Sequence, residues 1–422
     1  MLMTLNALQV RLNSEIGKLN GVILHTPGAE VQNMTPENAE RALYSDILNL
    51  NVAQQEYQQL SGFLEKVTNT FQVKDLLQDI IQNSRIRENL IDRICENEAV
   101  SLQRYLLENL NNEELASQMI EGVKMVKDTL TAYLTKERYT LRPLHNFFFT
   151  RDASMAINEK VLIGRMANKV RERESLIMQA IFDFHPGFAS TTVNPVEDEL
   201  FNDKITIEGG DILVARDDVL VIGNGSRTTT QGIDFILKRL RQRKESMHII
   251  VQELPQTPES FIHLDMVFTF LDIDKCMVYE PVILKPNRYQ VIHIAVTNGV
   301  VKISEEENIL KALNKLGIDL EPAMCGGVAD PWVQQREQWH SGANFFAFAP
   351  GKVVGYERNE YTIDELNKHG FDVIKANDVI KGKKHPDDYK RCVVTLEGSE
   401  LPRGGGGARC MTMPFNRDDV SW

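Results

Sequence analysis

Hydrophobic and polar positions change period several times along this chain, and the changes divide it. Lys18-Leu19-Asn20-Gly21-Val22-Ile23-Leu24-His25 reads as a turn and a buried strand, stopped by Pro27-Gly28. Thr35-Pro36-Glu37-Asn38 then predicts a helix start. Threonine is the N-cap, proline takes the first helical position, and acid follows in the first turn. Helical patterning continues through Val67. From about Asp75 to Arg138 there is no proline and one glycine, Gly122. Apolar residues recur there at helical spacing, as in Leu102, Leu106, Leu110 and in Met119, Val123, Val126. This predicts a compact set of helices inserted into another architecture.

Beyond Arg142-Pro143 the alternation becomes that of β-structure, and it repeats. Ser154–Ile157 and Val161–Gly164 flank a turn at Asn158-Glu159-Lys160. Asp211–Ala215 and Val219–Gly223 flank Arg216-Asp217-Asp218. Met266–Leu271 and Cys276–Tyr279 flank Asp272 to Lys275, and Phe345–Ala349 and Val353–Tyr356 flank Pro350-Gly351-Lys352. Each predicts a hairpin. Two continue alike, through a helix (Gln231–Lys244, Ile363–His369) into a strand (Met247–Gln252, Phe371–Ala376). With the opening strand and Cys392–Leu396, about five ββαβ units fit the chain. Internal repetition of this kind implies a radial or solenoid arrangement, and closure removes exposed edges. In a closed ring the start of each hairpin lies near a common axis.

Composition narrows the function classes. A net charge of −12, from 47 basic and 59 acidic residues, argues against a nucleic-acid surface or an anionic membrane surface. No apolar run approaches the ~20 residues of a membrane span. The first residues lack a basic segment followed by a long apolar one, so no signal peptide is expected. Five cysteines, Cys95, Cys276, Cys325, Cys392 and Cys410, are widely spaced without a CxxC pair. That predicts neither a disulfide framework nor a zinc knuckle, and a reduced cytoplasmic protein is expected.

The candidate chemistry lies at the hairpin mouths and near the end of the chain. The mouths carry Thr150-Arg151-Asp152, Glu208-Gly209-Gly210-Asp211, His263-Leu264-Asp265 and Gly342-Ala343-Asn344. Leu401-Pro402-Arg403 leads into four glycines, Gly404 to Gly407, and then Ala408-Arg409-Cys410. Singly, Asp152 could cap a turn, Gly209-Gly210 could form a bulge, and His263 could be a hydrogen-bonded core histidine. Together they suit one chemistry. Two carboxylates bind a planar guanidinium by paired charge-assisted hydrogen bonds. A carboxylate beside histidine raises its pKa and orients it as general acid and base. A thiolate, favoured by the adjacent Arg409, can attack the guanidinium carbon. No metal and no cofactor are needed.

These stretches resemble the arginine deiminase family over nearly the full length. The matching segments are Ser14-Glu15-Ile16-Gly17-Lys18-Leu19, Phe149-Thr150-Arg151-Asp152, Glu208-Gly209-Gly210-Asp211, Ser226-Arg227-Thr228, His263-Leu264-Asp265, Arg336-Glu337-Gln338-Trp339 and Ala408 to Pro414. The resemblance implies an α/β fold, a five-bladed pseudo-symmetric α/β-propeller of ββαβ units carrying the helical insertion. Its propeller would span residues 1–73 and 140–422, with 74–139 as the insertion. It implies hydrolysis of L-arginine to L-citrulline and ammonia. By matching motif, Cys410 is the nucleophile, His263 the acid and base, and Glu208 its partner, while Asp152 and Asp265 grip the guanidinium. Arg171 and Arg227 would hold the substrate carboxylate, with Asn146, Phe149, Arg403 and Gly404 completing the pocket. Family members often carry a second loop arginine where this chain has Gly405; Thr26 and Ser45-Asp46 are further departures. A homo-oligomer, dimer or higher, is the expected assembly. The alternatives are a relative acting on agmatine, methylated arginine or peptidyl arginine, and a non-catalytic binding protein on the same scaffold.

Overall fold

The computed structural model describes residues 9–36, 44, 46–100, 103–188, 190–199, 201–242 and 245–422. The helix start expected at Thr35-Pro36-Glu37-Asn38 runs into 37–43, outside the described residues, as do Ser45 and Leu102. The helix that precedes Val67 is Leu50–Val67, capped by the Asn49 side chain.

Among the described residues, five sheets share one ladder: an antiparallel pair, a hairpin in four of them, one strand of which also pairs in parallel with a strand reached through a helix. The buried, apolar hairpin sequences Ser154–Ile157/Lys160–Ile163, Ile212–Arg216/Val219–Asn224, Phe268–Asp272/Lys275–Val278 and Phe346–Ala349/Lys352–Tyr356 match the period-two reading. Their parallel partners are Thr191–Val193, Met247–Glu253, Glu321–Met324 and Cys392–Leu396. The predicted Gln231–Lys244 helix is observed as Thr230–Leu240.

Two placements differ from the sequence-based expectation. Phe371–Ala376 was expected beside its hairpin, yet Asp372–Lys375 lies at the sheet edge and Cys392–Leu396 intervenes. The reason is burial: all of Cys392–Leu396 is buried, whereas three of the four edge residues are exposed. The opening strand Leu19–Leu24 consequently takes a different partner. It pairs antiparallel with Met413–Arg417 and parallel with Asn69–Gln72. The fifth unit is thus built from both ends of the chain, which brings Cys410 beside the N-terminal segment. A hairpin the sequence reading missed, Val291–Thr297/Val300–Glu306, extends the second sheet.

The stretch expected to be helical contains helices Val73–Ile80, Ser84–Glu98, Gln103–Glu108, Asn112–Glu121 and Leu130–Leu134. Met119 and Val123 are buried as the pattern predicts, but Val126 is 61% exposed. The chain leaves the helix at Gly122, with φ +85°, and Val123–Lys124 pairs with Tyr139–Leu141 instead. Leu76, Leu77, Leu90 and Ile94 share one apolar core with Ile177, Met178 and Ile181 of the helix Glu172–Phe184. Among the described residues no helix is long and apolar enough to cross a membrane.

Candidate active site

Each sheet presents its polar residues just before its first strand. Asp152 precedes Ser154, Glu208 and the turn Gly209–Asp211 precede Ile212, and His263 and the turn Leu264–Met266 precede Phe268. Asn344 precedes Phe346, and Cys410 precedes Met413. Asp152, Glu208, His263, Asp265 and Cys410 are each at most 3% exposed.

His263 Nε2 is hydrogen-bonded to Glu208 Oε2 at 2.9 Å, and His263 Nδ1 lies 3.7 Å from Asp152 Oδ1. Burial works against the imidazolium. The charge of Asp152, the bond to Glu208 and the charge of Asp211 outweigh it and lift the pKa to about 9. Burial likewise opposes the Glu208 carboxylate, but His263, Arg227 and Arg171 hold it down to about 2. Ala167 N–H also donates to Glu208 Oε1, at 2.9 Å. The donor atoms of Asp152, Glu208 and His263 lie within 4.8 Å of one another, close enough to hold a cation.

The Cys410 thiol donates to Asp265 Oδ2 at 3.8 Å. The adjacent Arg409 favours the thiolate, as the sequence suggests, but its charge is engaged by other carboxylates and is outweighed. Its Nη1 donates to Asp265 Oδ2 at 2.8 Å, and its Nε and Nη2 to Glu15 at 3.1 and 3.0 Å. Burial, then Asp265 and Asp152, push the thiol well above its ordinary pKa. The sulfur is therefore a neutral thiol unless positive charge enters. Buried polar atoms here that make no hydrogen bond include His263 Nδ1 and Asp265 Oδ1. An unpaired donor or acceptor in such a place is costly unless a ligand completes it.

Arg171 is placed differently from the expectation of an open carboxylate-binding arginine. Its Nη1 donates to Asp152 Oδ2 at 2.7 Å, its Nε and Nη2 to Glu174, and its Nη2 to the Phe149 carbonyl at 3.3 Å. Three buried carboxylates, Asp152, Glu174 and Glu208, need a counter-charge, and Arg171 supplies it. Arg227 sits 3.9 Å from Glu208 Oε1 and remains partly exposed. It lines a cleft of about 610 Å³ together with Met266, Trp339, Arg403 and Gly404. Arg403 is held at the rim by Asp46 and by Glu400. Gly404 packs on Phe149 and Tyr44. Asn146, whose carbonyl accepts from Phe149 N–H, lines a different cleft.

The arginine deiminase family profile matches residues 40–417. The chain is 32% identical to the arginine deiminase of Bacillus thuringiensis subsp. konkukian, covering 97% of this chain and 99% of that protein. It is also 32% identical to the arginine deiminase of Oenococcus oeni, with 97% and 98% covered. The chain belongs to the arginine deiminase family.

Structural likeness extends further. The N-terminal domain of ArgZ, an arginine dihydrolase from cyanobacteria, superposes with a TM-score of 0.52 at 13% identity, covering 94% of this chain and 97% of that one. The dimethylarginine dimethylaminohydrolase of Pseudomonas aeruginosa gives 0.50 at 13%, covering 94% and 100%. At such identities the likeness concerns the fold, an α/β architecture common to these proteins.

Several positioning residues had no role in the sequence reading, although most lie within its motifs. Asn344 Oδ1 accepts from the N–H groups of Arg409 and Cys410, at 2.9 and 3.2 Å, while its Nδ2 donates to the Asp265 carbonyl. Gln338 Nε2 donates to the carbonyls of Ser260 and Met266, steadying the turn that carries His263. Asp211 Oδ1 accepts from Leu264 N–H at 2.9 Å. Position before a hairpin was the available signal for Asn344. Glu15 lies in the matching segment Ser14 to Leu19, but nothing there pointed to Arg409 as its partner.

Proposed function

We propose that this protein hydrolyses L-arginine to L-citrulline and ammonia, with Cys410 forming a covalent bond to the guanidinium carbon. One observation carries the reading: thiol, imidazole and two carboxylates share a buried pit in which His263 Nδ1 and Asp265 Oδ1 lack partners. A planar cation supplies N–H donors to Asp265 and Asp152, and its charge offsets the carboxylates that keep the thiol protonated. The thiol proton then leaves to solvent and the thiolate attacks. His263 Nδ1–H protonates the departing nitrogen, ammonia leaves, and an S-alkylthiouronium cation remains. Neutral His263 next takes a proton from water, whose oxygen attacks the same carbon. Collapse releases citrulline and the thiolate, which regains a proton from solvent, while the proton shed by the collapsing hydroxyl converts the released ammonia to ammonium. Glu208 keeps the imidazole oriented through both proton transfers.

The five repeated sheets are read as blades of a pseudo-symmetric propeller in residues 1–73 and 140–422, with 74–139 inserted. Convergence of the five pre-strand positions on one pit supports that arrangement. Purified protein incubated with L-arginine should yield citrulline and ammonia, and Cys410→Ala should yield neither while melting as the wild type does. Turnover by that variant would remove the proposed nucleophile.

The placement of Arg171 favours a second reading, in which the substrate is a guanidine without an α-carboxylate, such as agmatine. With Arg171 engaged by Asp152 and Glu174, Arg227 is the one of the two expected carboxylate-binding arginines that lines the cleft. Parallel assays on arginine and agmatine separate the two. Arginine should be preferred, and Arg227→Ala should erode that preference; a higher kcat/KM on agmatine would establish the second reading.

A further inference from the structure

A second cleft, of about 820 Å³, opens between the 136–146 segment, the end of the helix Ser84–Glu98 and the Lys169–Arg171 turn. Its lining carries Lys136, Arg138, Arg142, Lys169 and Arg173 against two carboxylates, Glu98 and Glu137. That is an excess of cations in a chain of net charge −12. Positive charge concentrated in a concave wall focuses potential onto an incoming anion. Four of these cations are exposed side chains and would not define a site alone. Arg173 is different. Its side chain is fully buried, and its Nε and Nη1 make no hydrogen bond. Nη1 is 3.4 Å from Glu98 Oε1, and Nη2 donates to the Arg142 carbonyl. A buried guanidinium with two unsatisfied edges is costly, and burial lowers its pKa from the ordinary arginine value.

We propose that this cleft is a second binding site, taking a small phosphate-bearing anion that completes Arg173. A tetrahedral oxyanion offers acceptors in several directions, as donors on opposite walls require, and its two negative charges suit the excess of cations. The volume falls within the range of roughly 300–1,000 Å³ typical of small-molecule sites, leaving room for an organic body. Asn146 and the turn that carries Arg171 form part of the wall, so the site adjoins the carboxylate pit without using its residues Cys410, His263 or Asp265.

Titration calorimetry with inorganic phosphate at low salt, without arginine, tests this on the full chain. Phosphate should bind one to one, and acetate at least about tenfold more weakly. Arg173→Met should weaken phosphate by about tenfold or more, and Lys136→Met/Lys169→Met by about fivefold, in line with partly exposed charge contacts. If Arg173→Met does not melt cooperatively, the double lysine variant decides alone. Absence of phosphate binding, or unchanged affinity in the folded variants, overturns the site; equal affinity for acetate overturns the phosphate class. None of these readouts depends on turnover, so their failure leaves the deiminase reading standing.

Discussion

The chemistry of single side chains here is set by neighbours that compete with burial. His263 gains enough from Asp152 and Glu208 to stay protonated at neutral pH, whereas Cys410 loses its charge to Asp265 and Asp152. The resting pair is therefore imidazolium and thiol. Alkylation of the free enzyme by iodoacetamide should accordingly be slow at neutral pH and keep rising beyond pH 9.0, the ordinary thiol value. A plateau near neutrality would mean that the thiolate is already formed. His263→Ala should lower kcat by at least about 10²–10⁴-fold, the contribution of a general acid and base, with circular dichroism unchanged. Arg409 and Glu15 act indirectly, by fixing the Asp265 carboxylate from behind.

Short elements place these side chains, and glycine decides two of them. A Cβ at Gly406 would lie 2.5 Å from the Phe149 ring and 3.0 Å from Cys410 Cβ. A Cβ at Gly210 would lie 2.4 Å from His263 Nδ1. All three distances are below van der Waals contact, so the Cys410 side chain, the Phe149 ring and the imidazole occupy space that any larger residue would take. Gly406→Ala and Gly210→Ala should each reduce kcat by about tenfold or more while the protein still melts cooperatively. Retained activity would show that the loop and the imidazole can shift at little cost. At the loop's other end Arg403 bridges Asp46 and Glu400 across an exposed surface. Such pairs contribute about 0–1 kcal/mol, so Arg403→Ala should raise KM modestly and leave kcat unchanged.

Over the full chain, the buried charges make stability depend on pH in a defined direction. His263 has a folded pKa of about 9 against an ordinary 6.5. Its contribution is complete below pH 6.5 and disappears as the pH rises to about 9. Glu208 behaves oppositely, at about 2 against 4.5, so its contribution holds above pH 4.5 and is lost as the pH falls towards 2. Calorimetric Tm should fall between pH 6.5 and 9 more steeply in the wild type than in His263→Gln. The acid limb should be steeper than in Glu208→Gln. Parallel slopes would mean that these groups do not exchange their partners on unfolding.

Much of this was legible in the chain itself, because strand alternation and turn residues are local signals. The four hairpins, the recurring ββαβ order and the polar residues before each first strand follow from side-chain period and from Gly, Asp and Asn at the turns. The motifs around Asp152, Glu208, His263 and Cys410 named the chemistry, since few other combinations suit a flat cation. Long-range pairing was not legible. That Met413–Arg417 joins Leu19–Leu24, and that Cys392–Leu396 displaces Asp372–Lys375 from the sheet interior, depends on which strand buries most surface. Charge partners belong to the same class. The residue order suggested that Arg409 would aid the thiolate, and the family resemblance that Arg171 would hold the substrate carboxylate. Folding instead gave Arg409 to Glu15 and Asp265, and Arg171 to Asp152 and Glu174. Glu174 lies within one helical turn of Arg171, but Asp152, Asp265 and Glu15 are remote in the chain from the arginines they hold, and a buried charge is neutralised by whatever opposite charge the fold brings within reach.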